Sequence, residues 1–208
     1  MLKNFIFSSC YYCNNKQRQS KMSSYPDGRQ LCSDCVQHII LTVDHLLIVA
    51  QWVMQQIDLL GFNFKKGSTQ VSLISQQRMT DLGYGQAHGL AISTLLLGGF
   101  YRDQQHEKAH IHIIYGMPVA NLVWVLSHEL GHVLISQQQQ YFNSQAEEEG
   151  FCQLLALLVS QQSKNPQMGQ VIAKELYNPD PTYGGELRKA YQHYQQMGFD
   201  RYFTAYLK

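Results

Sequence analysis

A chain of 208 residues, 45% of them hydrophobic, is long enough for one well-cored domain with a small appended module and too short for two full-sized domains. Lys and Arg total 16 against 15 Asp and Glu, and a formal charge of +1 gives no field that would draw the chain to nucleic acid or to a membrane surface. The first seven residues lack the apolar core and cleavage site of a secretory signal, and the greasiest stretch, 36–60, is broken by His38, Asp44, His45 and Asp58, short of the roughly 18 apolar residues of a span. A soluble, cytoplasmic protein is expected, with neither a nucleic-acid nor a membrane partner.

Taken in chain order, the first signal is Cys10-x-x-Cys13 followed by Cys32-x-x-Cys35, with residues 14 to 31 between the pairs. Without an export signal, two close pairs read as metal ligands in preference to disulfides, and the spacing suits a structural four-cysteine zinc site. Such a site is closed to water and supplies folding energy to a segment too short for its own core. Between the pairs, Tyr25-Pro26-Asp27-Gly28 predicts a tight hairpin. Residues 1–37 are therefore assigned to a zinc knuckle, LIM-like or zinc-ribbon-like, and residues 38–208 to a single following domain.

Apolar residues recur every three or four positions from Val36 to Leu60, which predicts one long helix ending at Gly61. Gln70–Ser75 and Ala91–Leu97 read as short strands between glycines, and Ala109–Tyr115 as a further strand with His110 and His112 on one face. An edge strand in that last position would pair with an extended substrate backbone. The two histidines lack a third partner and are not assigned to a metal. Pro118 opens a helix over Val119–Ile135, a loop near Tyr141–Ser144 leads to a second over Ala146–Ser160, and the Asn178–Pro181 breaker precedes a third over Glu186–Met197.

His128-Glu129-Leu130-Gly131-His132 is the H-E-x-x-H pattern. On a helix its histidines lie one turn apart on one face, within reach of a single zinc, and Glu129 stands beside them as the general base that would take a proton from zinc-activated water. Glu147-Glu148-Glu149 opens the next helix, with sixteen residues, 133 to 148, between His132 and Glu149, and a carboxylate there can complete a His-His-Glu set. Glu149 is the expected third ligand. Glu148, about 100° round the helix, is the alternative, and acidic residues also favour a helix start through its dipole. Gln153 can orient a ligand or sit at the core edge and is left unassigned, while Cys152 reads as a plain buried thiol.

Asp27-Gly28-Arg29, Cys32-Ser33-Asp34-Cys35, Tyr115-Gly116-Met117-Pro118, the zinc motif, Glu148-Glu149-Gly150-Phe151-Cys152-Gln153, Tyr183-Gly184 and Arg188 together resemble the DA-one family of LIM-associated, ubiquitin-activated peptidases of plants and their bacterial relatives. The resemblance runs from about Cys10 to the C-terminus. It implies an α+β architecture in which a gluzincin-type metallopeptidase domain, a small sheet with active-site helices, follows the knuckle. It also implies two zinc ions, one catalytic and one structural, and a protein or peptide substrate. The sequence carries no ubiquitin-interacting helices to support regulation by ubiquitin. Tyr183, on a Gly-rich turn and within the family's Tyr-Gly step, is the candidate donor to the oxyanion, with packing of the C-terminal helices as its other reading. The rival to an enzyme is a protein-binding zinc module with an inactive or non-peptide hydrolase site, and the presence of Glu129 argues for the enzyme.

Overall fold

The computed structural model describes residues 6–62, 69–84, 89–92, 109–138 and 142–206, with backbone alone for 89–92, 205 and 206. Residues 93–97 of the second expected strand, the glycines at 67, 85, 98 and 99, the end of the glutamine run and Tyr141 lie outside that set.

Strands β1 (Phe7–Ser9) and β2 (Lys16–Arg18) pair antiparallel, as do β3 (Ser23–Ser24) and β4 (Gln30–Leu31), and a single turn of helix, α1 (Ser33–Val36), follows. The expected hairpin forms at Tyr25–Gly28: the Gly28 N–H donates to the Tyr25 carbonyl at 3.0 Å, and Gly28 takes φ of 87°, a conformation that favours glycine. Asp27 accepts from the Arg29 backbone N–H, which tightens the turn.

The long helix expected from Val36 is shorter than its periodicity suggests. It runs as α2 over Val43–Leu59, and Thr42 caps it by accepting from the His45 N–H. Residues 38–40 have other use for their backbone. Ile40 and His38 bond to Gly116, Met117 and Val119, so Ile40 is fully buried against that turn and does not extend the helical stripe.

A three-stranded sheet has the order β5 (Thr69–Ile74), β7 (Ala109–Ile114), β6 (Gly89–Ile92), with β5 parallel and β6 antiparallel to β7. The strand expected to offer a free edge, β7, is therefore central, hydrogen-bonded on both sides, and closed to substrate pairing. Its Ile111 and Ile113 are fully buried, which explains the central place. His112 bonds Ser72 Oγ on β5 at 2.7 Å and His110 is exposed, and neither joins a metal-holding group among the described residues.

Helices α4 (Val119–Gln137) and α5 (Gln145–Ser160) form the centre of the core, with α2 and the sheet packed on α4. α4 is the one described helix long and apolar enough by length and composition to cross a membrane; its Leu122, Leu126, Leu130 and Leu134 are fully buried among the neighbouring elements. Short helices unmarked by the sequence pattern, α3 (Gln76–Asp81), α6 (Met168–Leu176) and α8 (Phe199–Tyr206), fill the connections, and α7 (Glu186–Met197) keeps its expected limits. Phe203 of α8 closes the end of the core edge-on against Phe62 and Phe151, with ring centroids 4.8 and 5.7 Å away.

Gly131 sets the approach of α4 to α5. A Cβ there would lie 3.0 Å from Cys152 Sγ and 3.1 Å from Cys152 Cα, so any side chain would push α5 away. Overpacking of this kind costs about 1–3 kcal/mol, against roughly 1 kcal/mol gained by Ala over Gly in a helix. Gly131→Ala should therefore lower stability in urea denaturation; a gain, as propensity alone demands, would show that the two helices separate freely.

Candidate metal centres

Two groups of side chains can each hold a metal ion. In the first, the ligand sulfurs of Cys10, Cys13, Cys32 and Cys35 all lie within 4.8 Å of one another. Cys10 and Cys13 flank the turn after β1, while Cys32 and Cys35 begin and close the short α1. Cys13 and Cys32 have sulfurs 3.6 Å apart, far beyond a disulfide's ~2.05 Å. The separation is near the edge of about 3.8 Å expected for a tetrahedron with metal–sulfur bonds of ~2.3 Å. Three of the four are buried. Their proton affinities split: the hydrogen bond from Cys35 lowers the Cys10 thiol to about 4, and the same bond raises Cys35. The shared bond favours the thiolate on Cys10 over that on Cys35, and four sulfurs this close suit a cation.

The second group is His128, His132 and Glu149. α4 supplies the histidines one turn apart. α5 supplies the carboxylate from its first turns, where Ser144 caps the helix by accepting from the Glu147 N–H at 3.2 Å. The Nε2 atoms of the two histidines are 3.2 Å apart, Glu149 Oε2 is 3.3 Å from His128 Nε2, and Glu149 Oε1 is 3.7 Å from His132 Nε2. A tetrahedral ion with bonds of ~2.0–2.1 Å to nitrogen and oxygen spaces its ligands about 3.3 Å apart. The three residues are only 8–9% exposed.

Glu148, the alternative third ligand, faces the other side of His132: its Oε1 accepts from Nδ1 at 2.9 Å. That bond keeps a proton on Nδ1 and turns Nε2 towards His128 and Glu149, so Glu148 orients a ligand and Glu149 is the one that converges. The two Nε2 atoms and the carboxylate meet at close range, and neither His128 Nδ1 nor Glu149 Oε2 has a hydrogen-bond partner. Three ligand atoms converge on one place, an arrangement that suits a cation. Burial alone would raise the Glu149 carboxyl, but His128 and His132 outweigh it and hold it below its ordinary value. His132 is held well above its usual value: burial pulls it down, and Cys152, Glu148 and Glu129 overcome that.

Glu129 is half-buried on α4, and its charge acts on both His132 and Tyr183, which places it beside the centre. Tyr183 lies on a single π turn, Pro181–Gly185, started by Asp180 accepting from the Thr182 and Tyr183 N–H groups. Gly184 is obligatory there, since a Cβ would fall 2.0 Å from the Asn178 carbonyl oxygen. The turn brings the Tyr183 ring to 6.5 Å from that of His128. Gln153 is engaged elsewhere, accepting from Trp124 Nε1 at 3.2 Å, and Cys152 is fully buried, its thiol raised to about 11 by that burial. The orienting role of Glu148 carried no mark in the sequence, where it is one of three successive glutamates.

Compared with family models, with curated proteins and with solved structures, the chain gives no match.

Glu149→Ala should release the metal of the His–Glu centre on dialysis, while Glu148→Ala should keep it with affinity lowered by roughly 10- to 100-fold, as for other orienting partners. The reverse order in metal analysis would make Glu148 the ligand. Cys32→Ser should release the ion of the cysteine site and expose the segment before residue 40 to protease; an unchanged metal content would remove the four-cysteine site.

Proposed function

We propose that the chain is a zinc-dependent peptidase of the gluzincin type, related to the DA-one family, which hydrolyses a protein or peptide substrate. One observation carries the reading. His128, His132 and Glu149 converge as three ligands, with no fourth protein ligand among the described residues and with Glu129 beside them. Three ligands leave a coordination position open, as in catalytic zinc sites, whereas structural sites are filled by four. The nitrogen and oxygen donors suit zinc, and the four thiolates of the knuckle suit a second, structural zinc.

Zinc bound by these residues supplies a Lewis acid that polarises a carbonyl and acidifies water. The rest falls to the chain. Glu129 takes the proton from the attacking water and passes it to the leaving amine nitrogen. Tyr183 is a protonated phenol at neutral pH, and partial burial first, then the charges of Glu149 and Glu129, move it further above its ordinary value. It is thus a donor for the carbonyl oxygen as negative charge builds there. Glu148 keeps the His132 ring from turning.

Glu129→Gln should retain both metals and lose at least about 100-fold in hydrolysis of an unfolded protein substrate. Full activity would remove the mechanism. Tyr183→Phe should keep metals and fold while kcat falls by roughly 10- to 1,000-fold, the range for one lost oxyanion donor; an unchanged kcat would return Tyr183 to packing.

A further inference from the structure

We infer that the four-cysteine knuckle is a positioning element of the His128–His132–Glu149 centre and that Arg29 is the side chain that couples them. The inference rests on the metal reading of that centre.

Arg29 is buried, its side chain 4% exposed, and its donors reach both parts of the chain. Nε and Nη2 donate to Asp27 Oδ2 at 2.9 and 2.8 Å, and Nη1 donates to the Tyr12 hydroxyl at 2.6 Å, between the cysteines of the first pair. Nη2 also donates to the Tyr115 carbonyl at 2.7 Å. Tyr115 follows β7 and opens the turn 115–118 that leads into α4. Under the guanidinium, 5.2 Å from its carbon, lies the Tyr25 ring, which presses on Gly116 so closely that a Cβ there would sit 2.7 Å from Tyr25 Cε1.

The segment after the last cysteine completes the grip. The Gly116 N–H donates to the Ile40 carbonyl at 2.9 Å, the Ile40 N–H to Met117 at 2.8 Å, and the Val119 N–H to His38 at 2.8 Å. Pro118 caps α4 without any side-chain hydrogen bond, so the start of this helix has no polar cap of its own. One of its otherwise unpaired N–H groups, that of Val119, is satisfied instead by the His38 carbonyl in the segment that leaves the knuckle. Lys174 and Gln167, donating to the carbonyls of Tyr12 and Asp34, tie the far side of the knuckle to α6 and its approach.

The consequence follows from the stiffness of a helix. Nine residues separate Val119 from His128, about 14 Å of helix that transmits a displacement at its start to both histidines together. Gly131 and Cys152 limit how near α4 lies to α5, the Trp124–Gln153 hydrogen bond links the two helices, and the helix start supplies the remaining hold on sliding and rotation. A centre of this kind works only within about 0.5 Å of its geometry, so a loosened turn misaligns His128 and His132 against Glu149.

The test uses Co2+ added to the metal-free full chain and followed by absorption. Thiolate charge-transfer bands report the cysteine site, and d–d bands without thiolate character report the His–Glu centre. In Arg29→Met and Arg29→Lys the cysteine site should fill as in the parent, while Co2+ affinity at the His–Glu centre falls about tenfold or more, the size of an ordinary coupling between sites. Loss of fold stability alone would lower the unfolding midpoint and leave that affinity unchanged. If Arg29→Met does not fold, Arg29→Lys carries the test, since it keeps a charge for Asp27 but lacks the planar fork that reaches Tyr12 and Tyr115 together. Unchanged affinity in folded variants overturns the coupling alone. A parent chain that shows only thiolate bands overturns the metal reading of the centre as well, and the inference with it.

Discussion

The structure depends first on how closely α4 and α5 approach at Gly131 and Cys152. With no side chain at Gly131, the backbone of α5 comes against α4 one residue before His132, and Glu149, nearly one turn before Cys152, is carried to the two imidazoles. A wider spacing would still bury Leu126, Leu130 and Leu155, because apolar burial tolerates adjustment. It would not bring three ligand atoms to within 3.2–3.7 Å. The centre is therefore a product of helix packing more than of any loop, which suits a site that must be rigid.

Around that contact the electrostatics are consistent. Glu148 settles the tautomer of His132, Glu149 is kept ionised by the two histidines, and Tyr183 is kept protonated by burial and by the same carboxylates. In the knuckle four sulfurs lie within 4.8 Å of one another, and a cation would relieve their mutual repulsion as thiolates. Its buried Arg29 joins the two centres through a carbonyl at the mouth of α4.

What was legible in the sequence was periodic or local. Two histidines four apart on a helix face one way whatever surrounds them, paired cysteines with a hairpin between them must come together, and Asp27-Gly28 makes its turn unaided. The helices over 186–197 and, within one residue, over 146–160 follow from their spacing and from the loop and breaker that precede them. What was not legible depended on tertiary partners. The stripe from Val36 through Ile40 has helical spacing, but those residues bond the turn before α4 and the helix starts only at Thr42. β7 alternates as an edge strand would, yet the parallel partner β5 makes it central. No local feature separated Glu148 from Glu149, because the difference is which nitrogen of His132 each one faces.

The central claim is that His128, His132 and Glu149 hold a catalytic metal with a position left open. Anomalous diffraction at the zinc edge, on crystals of the zinc-loaded chain, tests it most directly. Two peaks are expected: one among the four cysteine sulfurs, and one bonded at about 2.0–2.2 Å to His128 Nε2, His132 Nε2 and a Glu149 oxygen, with no fourth protein ligand. A single peak at the cysteines, or a second peak closed by a fourth side chain, would contradict the account.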